Sequence, residues 1–346
     1  MKKLLVIRFS ALGDVAMLVP VLRALALQHP TLDITMLSQP MCASLFKTLP
    51  ANVHFVAADL KGKHKGIGGL NALLNDIDFR SFDYVADCHD VLRTKWLRLR
   101  CKLAGKQIAS IDKGRSEKKA LTRENNKQFH QLKSSFERYA DVFASLGFSI
   151  DLKKDTTPFE FAPTADVAEI ISADKQFLVG IAPFAKHKGK IYPLEKMERV
   201  VELLAKNRQV ALFFFGFGPE EKSVVEAWCE KYPNTISLIG KFKMEQELAI
   251  MTKLDCVLSM DSANMHLASL VGTPVVSVWG ATHPFAGFMG WQQSANNAVQ
   301  LDLSCRPCSV FGDKPCLRGD YACMNELAPE LIVEKIEANY GTKNRN

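Results

Sequence analysis

LLVIRFSALGDVAMLVP, residues 4–20, decides how the rest of the chain is read. Leu4 to Arg8 is a short apolar run rich in branched residues, which suits a buried parallel strand. Phe9 to Asp14 is a loop with one glycine. From Val15 apolar residues recur at helical spacing, through Val19, Leu22 and Leu25 to Leu27. A strand, a turn and a helix in this order open a doubly wound α/β sheet, whose ligands bind at strand carboxyl ends. The loop lacks GxGxxG and ends in Asp14, whose carboxylate repels a pyrophosphate. Something other than a nucleotide is expected there. Asp14 also suits the N-cap of the helix, a structural role.

A chain of 346 residues exceeds one typical core and fits two domains. Its 47% hydrophobic and 23% charged residues place it among globular proteins rather than disordered ones. No apolar run reaches the length of a membrane span. The start, MKKLLVIRFSALGD, is basic and then apolar, but Arg8 interrupts the run and no small-residue cleavage site follows. It reads as a first strand, and a cytoplasmic protein is expected. The net charge of +7 is uneven: residues 1–159 hold 25 Lys+Arg against 15 Asp+Glu, and residues 160–346 hold 19 against 22. The first half is therefore expected to face something anionic. Segment 93–123 alone has 11 basic and 2 acidic residues, a net +9, with Trp96 its one aromatic. Stacked nucleic acid needs more aromatics, so nucleic acid is not expected. The segment is read either as a cradle for a phosphorylated or carboxylated acceptor or as a solvated helix face with a basic loop. LKGKHKGIGG, 60–69, is a second basic loop.

Strand-like runs lie near 4–8, 34–37, 53–57, 83–87 and 107–111, with helical patterns near 15–29, 40–48, 68–75, 93–104 and 130–147. Residues 151–176 are polar and proline-containing and read as a linker. The alternation restarts, with strands near 177–182, 209–215, 235–239, 254–259 and 274–279 and helices near 194–206, 219–231, 244–252 and 263–271. Two such halves imply two doubly wound domains facing across a cleft. A last helix follows near 329–340, and the tail TKNRN is expected to fray.

The second half carries phosphate-suited loops. GIAPFAKHKGKIYP, 180–193, places Lys186, Lys188 and Lys190 between a strand and a helix. FFFGFGPEE, 213–221, offers Glu220 or Glu221 for ribose hydroxyls, or simply for the helix dipole. In LSMDSANMHLASLVGTPVVSVWGATHP, 258–284, a strand ends at Met260 and a helix opens at Asp261 and Ser262. Its first amides, with the Ser262 hydroxyl and His266, suit a phosphate; a cap and a core histidine are the structural alternatives.

Together these residues resemble the ADP-heptose:lipopolysaccharide heptosyltransferases, glycosyltransferase family 9. RFSALGDV, 8–15, is similar to the family's opening motif with its catalytic aspartate. Lys190-Ile191-Tyr192-Pro193 is similar to K-x-W-P, with tyrosine for tryptophan. Asp261 to His266 is similar to D-[ST]-G-x-x-H, with Ala263 where glycine is usual, and WGATHP, 279–284, to G-x-T-x-P. The resemblance spans nearly the whole chain. It implies a GT-B fold: an acceptor-binding domain over 1–160, a donor-binding domain over 165–327, and a C-terminal helix over 328–346 crossing back to the first. It implies an inverting transfer with Asp14 as the catalytic base. Lys186, Lys190, Glu220, Asp261, Ser262, Ala263 and His266 would bind an ADP-sugar; Ser10, Arg93, Arg98 and Arg115 would bind an anionic glycolipid of the lipid A–Kdo type. The enzyme would lie peripherally on the membrane's inner face. No cofactor or catalytic metal is implied, and Asp76-Ile77-Asp78 reads as a turn.

Cys305, Cys308, Cys316 and Cys323 are spaced C-x2-C-x7-C-x6-C. That spacing suits structural zinc, and reduced thiols or disulfides are the alternatives. The competing functions are a sugar-nucleotide epimerase, which needs no anionic acceptor surface, and a non-catalytic nucleotide-sugar binding protein.

Overall fold

A computed structural model describes residues 1–171 and 176–341. The tail from Thr342, expected to fray, lies outside the described residues. The chain divides into two compact units, Met1–Lys113 with Lys133–Thr157, and Gly114–Leu132 with Pro158–Asn346.

The first unit is built on β1 (Lys2–Ile7), α1 (Leu12–Gln28), β2 (Leu32–Ser38), β3 (Val53–Ala57), α2 (Gly66–Asp76), β4 (Tyr84–Asp87), α3 (Leu92–Leu103) and β5 (Gln107–Ser110). All pairings are parallel, in the order β3-β2-β1-β4-β5, and Leu4 of the central strand pairs with both Ile34 and Tyr84. Leu4 to Ile7 are wholly buried because both faces of the strand are covered. The order reverses between β1 and β4, so the loops after these two strands diverge and leave room for a ligand.

Two expected helices differ. The stretch expected near 40–48 is a 3-10 segment, Pro40–Phe46, opened by its proline. The one expected over 130–147 is shorter, α5 (Ser135–Ala144). There the Ser134 Oγ accepts the Glu137 N–H at 3.2 Å and the Glu137 carboxylate accepts the Ser134 N–H at 2.7 Å. This reciprocal cap fixes its start.

Gly114–Leu132 carries α4 (Arg115–Leu121) and belongs to the second unit. The domain limits read from the sequence, 1–160 and 165–327, lack this excursion. Three contacts hold it. The Lys127 ammonium donates to the carbonyls of Ser304, Cys305 and Arg306 at 3.2, 2.8 and 2.9 Å. The Leu132 N–H donates to Phe285 at 2.9 Å, and the Lys118 ammonium lies 4.1 Å from the Phe288 ring centre.

The second unit contains α6 (Ala165–Ile171), β6 (Phe177–Ala182), α7 (Leu194–Ala205), β7 (Val210–Phe214), α8 (Pro219–Lys231), β8 (Thr235–Ser237), α9 (Met244–Met251), β9 (Cys256–Met260), α10 (Ala263–Leu270), β10 (Val275–Val278), β11 (Ala298–Val299), α11 (Ala322–Asn325) and α12 (Pro329–Glu337). Its six parallel strands run β11-β10-β9-β6-β7-β8 and reverse between β6 and β9. The helix expected to cross back to the first domain is α12. Its Ile332 and Ile336, one turn apart, are buried in the second unit's apolar cluster with Val201 and Val276. No described helix is long and apolar enough to cross a membrane.

Lys127→Met keeps the stem and removes the charge that three carbonyls share. Hydrogen bonds to a charged group contribute about 1.5–3 kcal/mol, so the melting temperature should fall and cleavage within 114–132 by a protease should quicken. Unchanged melting and proteolysis would assign the hold on this segment to Leu132 and Lys118 instead.

Candidate active site

In the first unit the loops after β1 and β4 flank the switch point. Asp14 stands three residues after Ala11, the residue that caps α1, so it is not itself the N-cap. Its carboxylate accepts the Ala11 N–H at 3.2 Å and pairs with the Arg8 guanidinium at 2.7 Å. Arg8 is buried and also donates to the Cys88 carbonyl at 2.6 Å. The Tyr139 hydroxyl donates to the Asp14 carbonyl at 3.2 Å, and burial pushes its pKa up, so it remains a donor. The Asp14 side chain is still 32% exposed.

His89, after β4, is buried and accepts the Phe9 N–H on Nδ1 at 3.3 Å. Burial, then the charges of Arg8 and Lys113, push its pKa down to about 4. It is therefore neutral near pH 7 and holds the Phe9–Asp14 loop as an acceptor.

In the second unit the loops after β6 and β9 flank the switch point likewise. Lys190 Nζ lies 2.9 Å from the Asp261 carboxylate, and both side chains are largely buried. Ser262 caps α10 by position, but its Oγ contacts Ser259 Oγ at 3.2 Å rather than the helix amides. The first amides of α10, beginning at Ala263, therefore keep the positive end of the dipole for an incoming anion. His266 is buried one turn in.

The lysine loop is positioned by close backbone packing. The Gly189 N–H donates to Gly312 at 3.1 Å, and the Ala281 N–H donates to Gly189 at 2.8 Å. A Cβ on Gly189 would lie 2.7 Å from the Ala281 Cβ and 2.9 Å from the Gly312 oxygen, so only glycine fits. Tyr192, where the family motif has tryptophan, is fully buried and its hydroxyl donates to Leu327 at 2.8 Å.

The remaining expected residues divide. Lys186 is exposed, and the Lys188 ammonium lies 4.8 Å from the Tyr321 ring centre. Glu220 is exposed at the start of α8, while Glu221 accepts the Phe217 N–H at 2.7 Å and braces the glycine loop. Ser10 is half-buried beside Asp14 in sequence, and Arg93 is exposed on α3. Arg98 is engaged internally, 3.3 Å from both Asp87 and Asp90. Arg115 lies on α4 of the second unit, so the +9 segment is shared between the units. Asp76 pairs with Lys63 at 2.6 Å and His64 at 3.0 Å, and Asp78 turns the chain at φ 46°. The 60–69 loop is thus a folded turn with its own ion pairs. The four clustered cysteines are free thiols, and no group of three or more His, Cys, Asp or Glu among the described residues is placed to hold a metal ion.

Arg306 escaped the sequence reading. It is buried and donates to the carbonyls of Gly280 at 2.5 Å and of Trp279 and Thr282 at 3.0 Å, to Gln300 at 2.9 Å, and also to Leu301. It shapes the whole 279–282 loop. Its one trace in the sequence is an arginine between Cys305 and Cys308, a place where thiols draw the attention. His89 was missed as well, in a C-H-D triplet without periodicity.

Two parallel doubly wound units, one carrying a half-buried carboxylate beyond its central strand and the other a largely buried lysine beside a helix terminus, define a GT-B class glycosyltransferase. The family model for glycosyltransferase family 9 (heptosyltransferase) matches residues 71–316, and the chain belongs to this family. It is 25% identical over 293 residues to the lipopolysaccharide core heptosyltransferase OpsX of Haemophilus influenzae, covering 82% of this chain and 80% of that protein. A glycosyl transferase family 9 structure from Veillonella parvula superposes with TM-score 0.78 at 19% identity, covering 99% of this chain and 98% of that one. The Escherichia coli heptosyltransferase WaaC with ADP-2-deoxy-2-fluoro heptose superposes with TM-score 0.66 at 18% identity, covering 98% and 100%.

His89 gives this site a pH signature. An unfolded histidine titrates near 6.5, and the folded His89 near 4. Between these values the unfolded chain binds more protons. Stability is therefore full above about pH 6.5 and falls towards pH 4, by up to about 1.4 kcal/mol per pH unit for this group. His89→Gln keeps an acceptor for Phe9 and should flatten the slope in urea unfolding across pH 4–7. An unaltered slope would place the titration elsewhere, with His283, also near 4, the next candidate.

Proposed function

We propose that the chain is an inverting, metal-independent heptosyltransferase that moves a heptose from ADP-heptose to a hydroxyl of the lipopolysaccharide inner core. The acceptor is an anionic glycolipid of the lipid A–Kdo type, met at the cytoplasmic face of the membrane. The observation that carries this reading is the Lys190–Asp261 pair at the β6/β9 switch point, beside the free end of α10. The bound sugar nucleotides of the heptosyltransferase WaaC support the donor class.

Asp14 accepts the proton of the acceptor hydroxyl as its oxygen attacks the anomeric carbon. The new carbon–oxygen bond forms on the face opposite the leaving group. The bond from the anomeric carbon to the phosphate oxygen breaks, and ADP departs with its electron pair. Lys190, Ser262, His266 and the α10 amides stabilise the charge that grows on the diphosphate. These groups supply the positive potential that a divalent cation provides in other transferases. Lys186 extends it at the loop surface, Ala263 offers its backbone N–H at the first position of α10, and Glu220 takes the ribose hydroxyls. Ser10, Arg93, Arg98 and Arg115 are assigned to the acceptor, with Arg98 acting through the Asp87–Asp90 loop it holds.

Asp14→Asn tests the base. A shared cap alone would leave stability unchanged, but the variant also strips the buried Arg8 of its counter-charge. The melting temperature should drop, by about 1–2 kcal/mol in stability given the partial exposure of the carboxylate. Below that melting point turnover should fall by about 10²–10⁴-fold with ADP-heptose affinity nearly constant. Near-full turnover when chemistry limits the rate would confine Asp14 to its ion pair.

Lys190→Met tests the donor site. Loss of a charge-assisted contact should weaken ADP by about 1.5–3 kcal/mol in calorimetry. Adding Asp261→Asn removes the orphaned carboxylate and should recover stability without recovering affinity. Unchanged ADP affinity in a folded variant would take Lys190 out of the site.

A further inference from the structure

Helix α3 has two apolar stripes. Thr94, Leu97 and Cys101 form the first and are buried. Leu92, Leu99 and Leu103 form the second and are 85%, 48% and 77% exposed. At 3.6 residues per turn the three leucines fall within about 40° of one another, on the side of the helix opposite the buried stripe. Lys95 and Lys102 flank them on one side, and Arg93 and Arg100 on the other.

The roll of the helix is fixed. The Trp96 indole and the Arg100 guanidinium both donate to Asn71 Oδ1 of α2, at 3.1 and 2.9 Å. Arg98 anchors the inner side to Asp87 and Asp90. The leucines cannot turn inward without breaking these bonds. Single exposed leucines are ordinary; three on one stripe, rimmed by cations and held outward, are the pattern of a helix that lies in a membrane interface.

We propose that α3 docks the enzyme on an anionic phospholipid bilayer by burying Leu92, Leu99 and Leu103 among the headgroups. The rim decides the occupant. A second copy of the same face would bring cations against cations, whereas anionic headgroups complement Lys95, Lys102 and Arg93, whose stems lengthen the apolar contact. The inference deepens the reading of a membrane-borne acceptor and rests on it for its purpose.

The test uses the full chain and acceptor-free vesicles of phosphatidylglycerol and phosphatidylethanolamine. The wild type should co-sediment with them. The triple variant Leu92→Gln, Leu99→Gln, Leu103→Gln should bind at least about tenfold more weakly. Lys95→Gln with Lys102→Gln should bind more weakly and with less sensitivity to salt. ADP release with a water-soluble, deacylated acceptor should be equal in wild type and triple variant, which certifies the fold. Equal vesicle binding by the triple variant, or no binding by the wild type without glycolipid, overturns the proposal. So does a wild-type dimer in sedimentation that the leucine changes dissociate. If neither protein turns over the soluble acceptor but the vesicle difference persists, docking stands and the heptose-transfer reading fails.

Discussion

Both sheets depend on a constraint of parallel strands. A strand–helix–strand unit is right-handed, so a sheet that grows outward from its centre in both directions must send its helices to opposite faces. At the central pair the two outgoing loops diverge, and nothing of the sheet covers the gap. Here the pairs are β1/β4 and β6/β9. Each gap has received charges that a covered sheet would exclude: Arg8 with Asp14 in one unit, Lys190 with Asp261 in the other. The site chemistry follows from this shared topology.

Charges at such depth need fixed partners, and the chain supplies them from a distance. Arg8 takes its second acceptor from Cys88, eighty residues on. Arg306 draws together the carbonyls of 279–282 and of Leu301. Lys127 does the same for 304–306. Arg306 and Lys127 each satisfy several backbone oxygens that no strand or helix pairs. The loops are thereby held without regular structure, and they retain the irregular shape that binding requires.

Local patterns carried most of the architecture. The branched runs at 4–8 and 177–182 admit only buried parallel strands, and Val15 to Leu27 only a buried helix face. Asp261 and Ser262 directly follow β9, while Asp14 in the first turn of α1 and Lys190 in the loop after β6 lie on the segments that leave strand ends. What stayed hidden depends on partners far along the chain. Segment 114–132 reads as part of the first half because nothing in its own spacing names Phe285 or Ser304 as its neighbours. Arg98 reads as a surface cation because Asp87 is a strand residue until the fold turns it inward. Asp14, expected as the base, keeps the N-cap as an alternative because the helix start is uncertain by a residue or two from sequence. The cysteine spacing fits zinc on paper, yet among the described residues no group of three or more metal-ligating side chains is placed to hold an ion.

If the donor binds where we propose, the Lys190–Asp261 pair makes that binding an exchange rather than a simple addition. A buried ammonium needs a counter-charge, and the Asp261 carboxylate at 2.9 Å supplies it and aims the side chain. A diphosphate arriving at α10 brings two negative groups to a site that already holds one carboxylate. The helix amides must then contribute enough to offset that repulsion, and they do so only if nothing else occupies them. Ser262 leaves them open because its hydroxyl turns to Ser259. The absence of a side-chain cap on α10, which elsewhere would weaken a helix by about 1 kcal/mol, is on the proposed reading the condition for the anion to replace it.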